Sequence, residues 1–110
     1  MGHDKSAELL PGTLELLILK ALLTQEQHGY GIAQRIRQLS DEVLQVGESS
    51  LYPALQRLLL KGFVKADWGA SENNRRARYY QLTAAGRKQL AVERQEFDRV
   101  IVAIHKVLTA

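Results

Sequence analysis

The 110-residue chain has the size of one domain with a modest core, and its apolar fraction of 45% is that of a globular protein, not a disordered one. It contains no cysteine, which excludes disulfides, thiolate metal sites and cysteine nucleophiles. The net charge is only +3, but residues 47–88 carry eight basic side chains against three acidic ones while the flanks are slightly acidic, a distribution that suggests a polyanion partner on one face.

The N-terminus, M-G-H-D-K-S-A-E, has no apolar signal core, and no apolar run is long enough to span a bilayer. A soluble cytoplasmic protein without a membrane partner is expected. Residues 1–9 are expected to form a loose arm, ended by Pro11-Gly12, and Thr13 to cap a first helix over 14–24. That helix carries two apolar faces: Leu14, Leu17, Ile18 and Ala21 on one, Leu16, Leu19 and Leu23 on nearly the opposite one. A small domain covers one such face with its own core, so the second is expected at a subunit interface.

Residues 25–28 make a polar connection, and G-Y-G at 29–31 opens a second helix over about 30–40 with Ile32, Ile36 and Leu39 as its core stripe. Gly31 in its first turn weakens it by ~1 kcal/mol relative to alanine. His28 is expected as a turn or capping residue, not a ligand. A third helix spans G-E-S-S-L-Y-P-A-L-Q-R-L-L-L-K-G at 47–62. Leu51, Leu55, Leu58 and Leu59 make its apolar face; Ser49, Ser50, Pro53, Gln56 and Arg57 make the other, and none of these is acidic. Pro53 sits early, where a missing N–H is expected to cost least, and Gly62 is the helix stop. Short hydroxyl, amide and guanidinium side chains are those that read base edges or hold phosphates in a major groove.

The pattern then turns to short β-like segments, 63–68 and 78–82, joined by G-A-S-E-N-N-R-R-A, so that Arg75, Arg76 and Arg78 cluster at the tip of a hairpin. Three helices followed by a hairpin with a basic tip is the order of a winged helix-turn-helix, whose wing meets phosphates or the minor groove. Trp68 lies in the first wing strand, where a packing role is expected. Thr83 caps a last helix, from 84 to about 108. Leu90, Arg94, Phe97, Ile101, Ile104 and Leu108 recur there at spacings of 4, 3, 4, 3 and 4, a heptad-like stripe widened by Val100 and Val107. Standing beyond the compact domain, it is expected to pack on its counterpart in a second copy and on Leu16, Leu19 and Leu23. The expected organisation is an arm over 1–9, a winged helix-turn-helix over 10–82 and a dimerisation helix over 83–110.

H-G-Y-G-I at 28–32, S-S-L-Y-P-A-L-Q-R-L at 49–58, G-F-V at 62–64 and R-R-A-R-Y-Y-Q-L-T-A-A-G-R at 75–87 together resemble the PadR family of bacterial transcriptional regulators, over about residues 10–90. The resemblance implies a mainly α fold with a small β-wing: a homodimeric winged helix-turn-helix protein, most often a repressor at a palindromic double-stranded DNA operator. By that analogy Ser49, Ser50, Tyr52, Pro53, Gln56 and Arg57 belong to the DNA-facing helix, and Asn74, Arg75, Arg76 and Arg78 to the wing. The single C-terminal helix resembles the short-form members. Gly31 stands where an acidic residue is common, which implies a looser second helix. Some short-form relatives stack planar drugs on a tryptophan of the dimer helix; here the aromatic in that helix is Phe97, and small-molecule sensing through it is open.

Two other classes fit these residues less well. A winged helix that binds a protein instead of DNA would not favour a three-arginine tip. An enzyme finds no support: histidines 3, 28 and 105 are scattered, and no Ser/His/Asp set or phosphate-cradling glycine loop is present. No catalytic residue, metal or cofactor is expected.

Overall fold

The computed structural model describes residues 12–110, so the expected arm over 1–9 lies outside the described residues. Its elements in order are α1 (Thr13–Ala21), β1 (Gln27–His28), α2 (Gly29–Leu39), α3 (Glu48–Leu60), β2 (Val64–Ala70), β3 (Arg76–Leu82) and α4 (Ala84–Leu108). Four helices and a three-stranded antiparallel sheet in the order β1-β3-β2 make up the expected winged fold. The core is filled by Ile18 and Leu19 of α1, Ile32 of α2 and Leu51, Leu55 and Leu58 of α3, all fully buried.

α1 corrects two expectations. Thr13 is its first residue, not its cap; Gly12, at φ 88°, holds the cap position and accepts the Leu16 N–H at 3.2 Å. The supposed spare face is also not spare, because Leu16 (7% exposed) and Leu19 (0%) are buried within the single chain. The helix threads between α2, α3 and α4 and is covered on both sides, so Leu16 and Leu19 have no surface to offer a second copy. Leu23, beyond the helix end, is half-buried against the same core.

α2 begins on a side-chain cap: His28 Nδ1 accepts the Gly31 N–H at 3.0 Å, as expected of that histidine. Gly31 does more than loosen the helix. A Cβ there would lie 2.3 Å from the Gln27 side chain, whose Oε1 accepts the His28 N–H at 3.2 Å, so the glycine makes room for that packing. The strand β1 escapes the sequence, since two residues have no period; Gln27 and His28 pair with Tyr80 and Tyr79 of β3.

α3 ends as expected at Gly62, φ 76°. The Phe63 N–H returns to the Leu58 carbonyl at 3.0 Å and the Gly62 N–H to Leu59 at 3.1 Å, the paired bonds of a Schellman stop. Pro53 sits deeper than expected. It is the sixth residue of the helix, beyond the first turn whose N–H groups are unpaired anyway, so the carbonyl of exposed Ser49 loses its helical donor.

The wing strands run longer than the sequence pattern indicated, to Ala70 and from Arg76. Their register pairs Val64 with Leu82, Ala66 with Tyr80, Trp68 with Arg78 and Ala70 with Arg76 on one face. That face starts buried at Val64, Tyr80 and Leu82 and emerges into solvent at Trp68, Arg78 and Arg76.

α4 starts on Thr83, whose Oγ1 accepts the Gly86 N–H at 3.0 Å. Within it only Gly86 and Leu90 are buried. Leu90, 7% exposed, therefore belongs to the domain's own core and not to the interface expected of it, because it lies in the first two turns, which pack on α1 and β3. Beyond it the helix stands alone, with Phe97 (37%), Ile104 (41%) and Leu108 (73%) exposed and Ile101 half-buried. Among the described residues no helix is long and apolar enough to cross a membrane.

Candidate nucleic-acid interface

α3 buries Leu51, Ala54, Leu55 and Leu58. Helical spacing places Ser49, Pro53 and Gln56 on the opposite side, all exposed, with Ser50 exposed on the flank. Tyr52 lies on the other flank, next to the start of α2. A Cβ at Gly29 would fall 2.7 Å from its hydroxyl, so Gly29 permits the close approach of the ring. Burial, with the nearby carboxylate of Glu48, raises the Tyr52 phenol above its ordinary value. It is therefore a neutral hydroxyl at physiological pH, able to donate to an anionic oxygen.

Arg57 is placed differently from the other residues expected to face DNA. Its Nε donates to Glu15 Oε2 at 2.9 Å, and Lys61 Nζ donates to Oε1 of the same carboxylate at 3.1 Å. Glu15 is 8% exposed and ties α1 to the C-terminal end of α3. Arg57 is thereby drawn toward α1 and leaves the set of candidate base readers. In the sequence Glu15 only interrupts an apolar face; a lone acid amid leucines was the signal that a cationic partner lay opposite.

Burial raises the pKa of the Glu15 carboxyl, but the hydrogen bonds and charges of Arg57 and Lys61 outweigh it, and the net shift is downward. A carboxyl with a depressed folded pKa stabilises the protein above its unfolded pKa, and that stabilisation is lost as pH falls through the folded value. Glu15→Gln is therefore expected to lower the thermal midpoint at neutral pH. The gap to wild type should close in acid, where both side chains are neutral. A pH-independent gap in parallel melts would show that the charge of Glu15 contributes nothing.

The wing supplies the other cations. Residues Ser71 to Arg75 form its tip, closed by the Ser71 N–H to the Arg75 carbonyl at 2.7 Å and the Asn74 N–H to the Ser71 carbonyl at 2.9 Å. Asn74 occupies the left-handed region at φ 58°, a conformation asparagine tolerates well, so it shapes the turn as well as lying exposed on it. Arg75, Arg76 and Arg78 are all exposed, Arg75 in the turn and the other two on the wing face that carries Trp68. Trp68 is 62% exposed, which corrects its expected packing role. Alternation puts the indole on the face of buried Val64, which is why packing is the natural expectation. Trp68 is exposed because the hairpin has left the core by that point, where the register sets it beside Arg76 and Arg78.

An open groove of about 580 Å³ separates the wing from the helices. Its walls include His28 of β1, which caps α2, Tyr30 of α2, Tyr52 of α3, and Trp68, Arg76 and Arg78 of the wing. Tyr52 on the flank of α3, the start of α2 and two wing arginines thus border one groove.

Comparison with known proteins agrees with this architecture. The model of the transcriptional regulator PadR-like family matches residues 18–92. The chain is similar to the structure of a transcriptional regulator from Clostridium thermocellum, with 32% identity, a TM-score of 0.79, and coverage of 86% of this chain and 92% of that one. It is also similar to a PadR family transcription regulator from Clostridium difficile (28% identity, TM-score 0.75, 88% and 99% covered). An uncharacterized protein from Lysinibacillus sphaericus is 29% identical over 94 residues, 86% of each chain.

Proposed function

The chain belongs to the PadR-like family of DNA-binding transcriptional regulators, and on that premise we propose that it is a homodimeric repressor of a palindromic operator, released by a small-molecule effector. The observation that carries this reading is the groove that Tyr52 of α3 and the start of α2 share with the arginine-bearing wing, next to the exposed Ser49, Pro53 and Gln56 of α3. Ser49, Ser50, Tyr52, Pro53 and Gln56 enter the major groove or meet its phosphates, with Gln56 as the principal base reader. Asn74, Arg75, Arg76 and Arg78 hold the adjoining backbone or minor groove.

Dimerisation uses the stripe of Phe97, Val100, Ile101, Ile104 and Leu108 on α4, exposed except for the half-buried Ile101. A lone apolar helix face of this length is covered when a second copy supplies the same stripe, and the heptad-like spacing suits that pairing. The two copies of α3 then sit about 34 Å apart, one turn of DNA. Phe97 lines the space between the subunits, where a planar effector stacks.

Titration into DNA from upstream of the protein's own gene, against a scrambled duplex and at several salt concentrations, tests the reading. A steep salt slope with preference for the native duplex is expected. Gln56→Ala should reduce that preference about 10-fold or more while leaving random-duplex binding unchanged. A uniform loss across sequences would remove Gln56 from the base readers. A folded protein that bound neither duplex would instead be a protein-interaction module.

A further inference from the structure

The inner face of the wing carries an alternating series of rings and cations. Arg78 Cζ lies 5.9 Å from the centroid of the Tyr80 ring, and Arg76 Cζ lies 4.8 Å from that of Trp68. The strand register produces the series: Trp68 is directly opposite Arg78, and Arg76 is opposite Ala70, two residues beyond Trp68 on the same face. Tyr80 at the base is buried, whereas Trp68, the only tryptophan of the chain, is 62% exposed. An exposed indole on a projecting hairpin contributes nothing to a core. It does hold a guanidinium by its face.

That contact matters because a cation–π partner engages the charge of the guanidinium and uses none of its N–H donors. Arg76 makes no ion pair among the described residues, although Glu72 borders the same groove. An unstacked arginine on a hairpin must give up rotamer freedom when it meets an anion; one lying on an indole has given up part of it already. Arg75, in the turn, has no ring beneath it.

We propose that Trp68 is a positioning residue for nucleic-acid binding: it holds the Arg76 guanidinium with its edge toward a phosphodiester at the mouth of the groove between the wing and the start of α2. The proposal rests on the DNA-binding reading above. It adds a residue on β2 to an interface otherwise drawn from α3 and the arginines of the wing.

The experiment compares wild type, Trp68→Ala, Trp68→Phe, Arg76→Ala and the double alanine variant in titrations with one duplex across salt concentrations, with thermal melts as a folding control. Wild-type tryptophan emission should change on adding duplex, because the indole lies beneath the contacting guanidinium. Trp68→Ala should weaken binding by about 3- to 10-fold, for specific and random duplex alike, and Trp68→Phe should restore most of it. Arg76→Ala should weaken binding and flatten the salt slope by about one unit. The double variant should be no weaker than Arg76→Ala, since the indole acts through that arginine. Wild-type binding unaltered in Trp68→Ala, or independent effects of the two substitutions, would overturn the proposal and leave the DNA-binding reading intact. A wild type that bound no duplex would overturn both.

Discussion

Replacing Ile104 by aspartate is expected to split the proposed dimer into monomers and to weaken binding to the proposed operator on the order of 100-fold or more. Ile104 is 41% exposed in the single chain, so a carboxylate there meets water in the monomer and does the fold little harm. In the proposed dimer it would be buried in a seam of Phe97, Val100, Ile101 and Leu108, where an unpaired charge is prohibitive. Loss of the seam leaves each wing domain to bind one half-site alone, and the gain from tethering two binding heads is commonly two to four orders of magnitude. Analytical ultracentrifugation together with the operator titration would check both effects. A variant that sedimented as a dimer would move the interface elsewhere. A modest fall in helicity should accompany dissociation, because the half of α4 beyond Leu90 has little else to pack against.

Gly86→Ala is the substitution expected to harm folding most among those that add only a methyl group. A Cβ at this position would stand 2.0 Å from the Phe63 carbonyl oxygen and 2.8 Å from Leu82 Cδ1. The Phe63 backbone cannot easily retreat. Its N–H is bonded to the Leu58 carbonyl at 3.0 Å and its carbonyl to the Thr83 N–H at 3.1 Å, while the Thr83 hydroxyl donates to the Gly62 carbonyl at 2.7 Å. Alanine's better helix propensity returns at most ~1 kcal/mol. Forcing α4 off this junction should cost about 3 kcal/mol, a fall of about 10 °C or more in melting temperature. Gly62→Ala provides the contrast. Its φ of 76° disfavours a side chain, but nothing lies within 4 Å of the added carbon, so only the conformational penalty of ~1 kcal/mol applies. Equal losses in the two variants, measured by denaturant titration, would show that the Phe63 contact is soft.

Much of this architecture was legible before any coordinates. The leucine spacing of α3, the glycine stop and the threonine cap of α4 are local signals, and each appears where the pattern placed it; the aromatic wing strands were legible as strands but run longer than the pattern indicated. What stayed hidden depends on neighbours distant in sequence. Leu16 and Leu19 look like a second, unpartnered face until α1 is found enclosed by three other helices. Leu90 belongs to the heptad by spacing but to the core by position, because the stripe crosses the boundary between the domain and the free helix. Arg57 shares the polar side of α3 with Gln56, yet Glu15, 42 residues earlier, turns it away. Strand alternation assigns Trp68 to the face of buried Val64, and only the distance the hairpin projects beyond the core leaves the indole exposed.

The hairpin tip projects beyond the core, and its five residues, Ser71 to Arg75, are held mainly by bonds among themselves. Changes there in length or charge would leave Ile18, Leu55 and Leu58 undisturbed. Evolution therefore has a region in which the proposed attraction for DNA can drift while the cost to folding stays small, and α3, the proposed reader of the sequence, can change on a separate schedule. Divergence among operators can proceed in two nearly independent steps, one setting how tightly the protein holds and the other setting what it holds.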